Sequence, residues 1–186
     1  MKDATLAIGR MGDMGKLGTL AWLHLRELGG FRQLLQTAAE TTATPAAAAD
    51  HVVEALARVY RIGIKLATMY VSALATPALA PGLTPWWPRL DGNYLVVVDA
   101  NVGRVIDALR PRGVGTYAAR AAWFRHHAAA IDLRRFHRSW PRTSPRLVQQ
   151  AVYAFRSRSN RAAAGDSCSG TRACHAGTPT LCPFPH

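Results

Sequence analysis

Acidic side chains are scarce in this chain. Over 186 residues, 11 Asp and Glu stand against 23 Lys and Arg, a formal net charge of +12 with a pI near 10.8. Arg makes up most of the excess, and its planar guanidinium suits bidentate contact with phosphate. A polyanionic partner, most simply nucleic acid, is the first inference. An Arg-rich and Ala-rich coding bias would give the same excess without such a partner. Long hydrophobic runs are missing too. No stretch approaches the roughly 18 uninterrupted apolar residues of a membrane span, so contact with a membrane is not expected. The opening "MKDATLAIGRMGDMGKLG" has no long apolar segment of the secretory kind, and a cytoplasmic location is expected. Cysteine is limited to three residues, all between 168 and 182. An odd, clustered set argues against a disulfide framework and for a metal or nothing. Strand-like alternation is also absent, and so is any internal repeat of about 20–50 residues.

What is present reads as helix. Hydrophobic residues make up 49% of the chain, enough for a core in one domain or in two small lobes. Leu17 to Leu28 place apolar residues on one face, and Gly29-Gly30 end that segment. "FRQLLQTAAE" starts another helix. "TPAAAADHVVEALARVY" begins with Thr44 as N-cap and Pro45 at the first helical position. A turn at Gly63 follows, then a helix carrying Leu66, Met69, Tyr70 and Leu74. Residues 76 to 93, rich in Pro and Gly, read as loop. "YLVVV" (94–98) reads as a short buried strand or an extended approach to the next helix, which runs to about Leu109. "TYAARAAWFRHHAAA", "IDLRRFHRSW" and "SPRLVQQAVYAFRSRS" supply three more helical segments. Trp123, Phe124 and Trp140 fall at helical positions expected in the core, and His126 and His127 are expected to be exposed or capping.

Two segments carry chemistry. In "VYRIGIKLATMYVSAL" one helix ends near Tyr60 and a second starts near Lys65. The backbone N–H groups at the second helix's start, with its dipole, form a natural phosphate site. In "VVVDANVGRVIDAL", Asp99 sits where a helix should begin, the place of an N-cap.

Together these segments resemble the helix-hairpin-helix DNA glycosylases of the endonuclease III and 8-oxoguanine DNA glycosylase type. That family's hairpin reads approximately L-P-G-(V/I)-G-x-K-x-A and its acid segment V-D-x-x-V-x-R-(V/I). Here they are "VYRIGIKLA" and "VDANVGRVI", about a quarter of the chain. The resemblance implies an all-α fold of two small helical lobes with the active site in the interlobe cleft. It implies one helical glycosylase domain over residues 1–161, with the hairpin at about 50–75 and the catalytic segment at 94–109. Lys65 would be the nucleophile, Asp99 the catalytic carboxylate, and Gly63 the second hairpin glycine. Arg61 stands where the first hairpin glycine should be, which offers phosphate a side chain there instead. The segment between Lys65 and Asp99 is longer than in the best-known members, an insertion that costs little in loop closure.

The implied activity is excision of a damaged or modified base from duplex DNA, with strand incision through a lysine Schiff base. An oxidised purine is the default substrate. Two alternatives stay open: a phage-defence glycosylase removing a bulky modified base, such as a glucosylated hydroxymethylcytosine, and a non-catalytic hairpin module that only binds DNA. The expected partner is double-stranded DNA with one base flipped out, met by a monomer. A flipped base needs aromatic walls and the vacated duplex a wedge. Trp86, Trp87 and Tyr94 are available, although adjacent tryptophans can equally pin a long loop to a core. Arg104, Arg110, Arg112, Arg120 and Arg125 are expected near phosphates, and Arg134, Arg135, Arg138, Arg142 and Arg146 form a second basic run. In the tail, 162–186, Cys168, Cys174, Cys182 and His186 suffice for a tetrahedral zinc site, with His175 able to replace His186. An iron–sulfur cluster, in the place where relatives carry four cysteines, fits three thiols less well. A tail without metal stays open, and the chemistry itself needs no cofactor.

Overall fold

The computed structural model describes residues 14–109 and 115–157. All regular structure among them is helical: α1 (Met14–Glu27), α2 (Gly30–Thr41), α3 (Pro45–Ala57), α4 (Gly63–Ala75), α5 (Ala100–Leu109), α6 (Tyr117–Ala128) and α7 (Pro145–Arg156), with 3-10 turns at Gly92–Tyr94 and Leu133–Arg135. The chain divides into two compact units, Met1–Leu95 and Val96–His186. The boundary falls inside the apolar "YLVVV" stretch.

The first unit is built on the α3–α4 pair. Thr44 caps α3 by accepting a hydrogen bond from the Ala47 amide at 3.1 Å, and Pro45 opens the helix. Its buried face is Ala48, Ala49, Val52, Val53 and Leu56. On α4 the buried face is Ala67, Thr68, Val71, Ser72 and Ala75, not the larger residues. Leu66, Met69 and Tyr70, which carry the helix's apolar weight in the sequence, are exposed. Small side chains on both helices join one core with Leu34 and Ala38 of α2.

The Pro-rich loop after α4 is irregular but anchored. Leu90 is fully buried and Trp86 nearly so. The Trp86 amide donates to the Leu74 carbonyl at 3.3 Å and the Asp91 amide to the Pro45 carbonyl at 3.0 Å. Gly92 is pressed against the end of α4: a Cβ there would lie 2.4 Å from Thr76 Oγ1.

In the second unit, Val96, Val98, Val102, Ile106, Ala121, Phe124 and Ala128 form the core, with Trp123, Val148, Val152 and Tyr153 against it. The "VVV" segment is not a strand. It is an irregular approach to α5, following an extended Leu95 and buried at all three positions. "IDLRRFHRSW" is a helix in expectation only. It makes one 3-10 turn, in which the Asp132 carboxylate accepts the Arg134 amide at 3.0 Å and the Leu133 amide donates to the Arg142 carbonyl at 2.8 Å. Leu133 alone of that turn is buried, so no apolar stripe exists to hold a longer helix on the core.

Candidate functional site

One candidate segment is the turn between α3 and α4, in the first unit. The Ile62 amide donates to the Val59 carbonyl at 3.0 Å and closes the turn. Arg61 has φ of 65° and Gly63 φ of 58°, both left-handed. A left-handed backbone is ordinary for Gly and strained for Arg. Arg61 thus holds a backbone conformation that glycine adopts at little cost. Its Nε donates to the Tyr60 hydroxyl at 3.3 Å, and its guanidinium lies 5.5 Å from the centre of the Tyr60 ring. Ile62 precedes α4 without offering a capping side chain. The first amides of α4 are thus left for an outside acceptor, and the helix dipole gives that place positive character. Lys65 is exposed on this first turn and has no ion pair among the described residues.

A second candidate segment is the start of α5, in the second unit. Asp99 is half-buried. Its Oδ1 accepts the Val102 amide at 2.8 Å and its carbonyl accepts the Gly103 amide at 2.8 Å, so it is the N-cap of α5. Oδ2 is left for another partner. Its chain neighbour Val98, and Val102 and Ile106 of the helix it caps, belong to the apolar core of the second unit. Arg104, one turn along, is exposed.

The remaining expected site residues divide. Trp86 packs inside the first unit, its ring 5.5 Å from that of Phe31 and 5.6 Å from that of Tyr70. This is the loop-pinning arrangement. Trp87 and Tyr94 are exposed, by 43% and 38%. Phe124 is buried, Trp123 and Trp140 are half-buried, and His126 and His127 are exposed. Arg120 is engaged by Asp107 in a bidentate pair at 2.9 and 2.6 Å. Arg146 belongs to the basic run only in sequence. It is 6% exposed, and burial lowers its guanidinium pKa to about 10, with the nearby Tyr117 acting weakly the other way. Arg110, Arg112 and the zinc set Cys168, Cys174, Cys182 and His186 lie outside the described residues. Among the described residues no cluster of His, Cys, Asp and Glu could hold a metal ion. No helix there is long and apolar enough to cross a membrane.

Sequence reasoning missed two features. One is a groove of about 920 Å³ in the first unit, lined by Trp22, Leu25, Phe31, Leu66 and Tyr70 with Arg26 as its charged member. The exposed apolar face of α4 forms one wall. Its signal is the placing of Leu66 and Tyr70 a turn apart, a pattern that reads equally as core. The other is the set of polar side chains around Val96–Val98. The Tyr117 hydroxyl donates to the Val96 carbonyl at 3.2 Å and accepts the Val98 amide at 3.4 Å. Gln149 Oε1 accepts the Val97 amide at 3.4 Å.

No protein-family model matches the chain, no curated protein matches it, and no solved structure matches it.

Proposed function

We propose that this chain is a DNA glycosylase of the helix-hairpin-helix kind, with Lys65 as nucleophile and Asp99 as the catalytic carboxylate. The observation that carries the reading is the hairpin turn. Arg61 bears the cost of a left-handed backbone, which preserves the geometry that glycine gives such a hairpin and leaves the α4 amides open to phosphate. The net charge of +12 supports a DNA partner. Arg61, Gly63 and Arg104 would meet the backbone, fixing position without reading sequence.

The chemistry follows from the two groups. As the N-glycosidic bond breaks, its electron pair leaves with the base and positive charge grows on the sugar. Asp99 Oδ2 would oppose that charge while Oδ1 stays in the cap. The unprotonated Lys65 amine would attack C1′, forming a carbon–nitrogen bond as the base departs with a proton. Ring opening then gives a Schiff base, and loss of the C2′ proton expels the 3′ phosphate by β-elimination. The reaction requires amine and carboxylate to serve one deoxyribose. The default substrate is an oxidised purine, with Trp87 and Tyr94 offered as wall or wedge.

Borohydride trapping on a panel of modified duplexes, including modified phage DNA, tests this. A covalent adduct formed by the wild type and lost in Lys65→Ala is the expected result. Asp99→Asn keeps a capping oxygen, so it should fold like the wild type, and the proposal expects it to excise at least about 100-fold more slowly. Duplex binding with no adduct and no base release would make the protein a hairpin binding module. Full excision by Asp99→Asn would remove that carboxylate from the mechanism.

A further inference from the structure

We infer that Tyr117, Gln149 and Arg146 are positioning residues that hold the chain's approach to Asp99; the inference rests on the catalytic reading of that carboxylate. Val96, Val97 and Val98 are 3%, 4% and 8% exposed, yet no strand pairs with them among the described residues. Buried backbone groups need partners, and among the described residues of this unit no sheet supplies them. Side chains do so instead. The Tyr117 hydroxyl bridges the Val96 carbonyl and the Val98 amide. Gln149, on α7, takes the Val97 amide.

Gln149 is itself held. Arg146 Nη1 donates to Gln149 Oε1 at 2.5 Å and to Gln150 Oε1 at 3.0 Å. Gln149 is 3% exposed and Arg146 6%. Burying a guanidinium and an amide is costly where apolar side chains would pack as well. What the pair provides is direction. Three consecutive residues are fixed from α6 and α7, and the next residue is Asp99, whose own Oδ1 is fixed by the Val102 amide. The backbone from Val96 to the start of α5 is thus tied to rigid elements, as a reacting carboxylate requires. A displacement of about 1 Å at such a group costs about 100-fold in rate.

The experiment compares Gln149→Leu with Gln149→Glu in the full chain, on whichever duplex the wild type cleaves. Glu keeps an oxygen for the Val97 amide and for Arg146; Leu keeps neither. At a temperature where both are folded, Q149L should lower the single-turnover excision rate by about 10- to 100-fold while duplex Kd is unchanged, and Q149E should stay within about threefold of wild type. In an Asp99→Asn background Q149L should have no further effect, because the group it positions is gone. Equal rates for Q149L and wild type, or an undiminished Q149L effect in the Asp99→Asn background, would overturn the inference. Amide exchange of Val97 and Val102 reads the same device without catalysis. Faster exchange in Q149L but not in Q149E supports the brace even if the wild type excises nothing, an outcome that sinks the glycosylase reading alone. Unchanged exchange in Q149L overturns the brace.

Discussion

Replacing Arg61 separates backbone strain from charge. At φ of 65° the residue is left-handed, a conformation that costs an L-residue about 1–2 kcal/mol and glycine almost nothing. Glycine loses more freedom on folding than alanine, by about 0.5–1 kcal/mol. The net advantage of Arg61→Gly over Arg61→Ala is therefore about 0.75 kcal/mol at the midpoints of those ranges, because both variants lose the same guanidinium and its contact with Tyr60. In denaturant titrations followed by tryptophan fluorescence, R61G should show the higher midpoint with an unchanged slope. Duplex affinity should respond differently. On the proposed reading both variants would lose one phosphate contact, so the dependence of log K on log salt should flatten by about one unit in each. If R61A is as stable as R61G, the turn does not carry the strain assigned to it. If the salt dependence stays as steep as in wild type, Arg61 makes no phosphate contact.

Two further changes probe the units separately. Gly92→Ala should destabilise the first unit by about 1–3 kcal/mol, since its Cβ would lie 2.4 Å from Thr76 Oγ1; adding Thr76→Ala should recover part of the loss in the denaturant midpoint, and an unaffected G92A would refute the seating of this loop. Arg146 has its pKa lowered to about 10 by burial, so from about that pH up to the ordinary arginine range the unfolded chain holds more protons than the folded one. Its contribution to stability should rise with pH across that window, and the stability difference between wild type and Arg146→Met should move toward wild type as pH rises from about 10 to about 11.5, whereas a constant difference would show the guanidinium to be unperturbed.

The turn at Gly63, the Thr44 cap, the Asp99 cap and the helical character of the described residues were legible because each rests on local chemistry, although α3 ends at Ala57 rather than near Tyr60 and α4 starts at Gly63 rather than near Lys65. A threonine before Pro45 or an aspartate before an amphipathic run satisfies free amides within the next three residues, whatever the rest of the chain does. Faces were less legible. On α4 the sequence offers Leu66, Met69 and Tyr70, but α3 packs on Ala67, Val71 and Ala75, because short side chains let two backbones approach closely. The "IDLRRFHRSW" segment misled for a related reason. Its composition tolerates a helix, but a single buried Leu133 gives nothing to pin one.

By itself the sequence determined where the chain turns, which residues cap its helices, and that its surface repels cations. Those follow from groups within a few residues of one another and from summed charge. Only the tertiary structure decided that Arg61 would take a glycine's backbone, that Arg146 would leave the basic surface for the interior, and that Tyr117 and Gln149 would stand in for a missing strand beside Val96–Val98. Each depends on partners distant in the chain, and burial makes an unpaired polar group too costly to leave where local preference alone would put it.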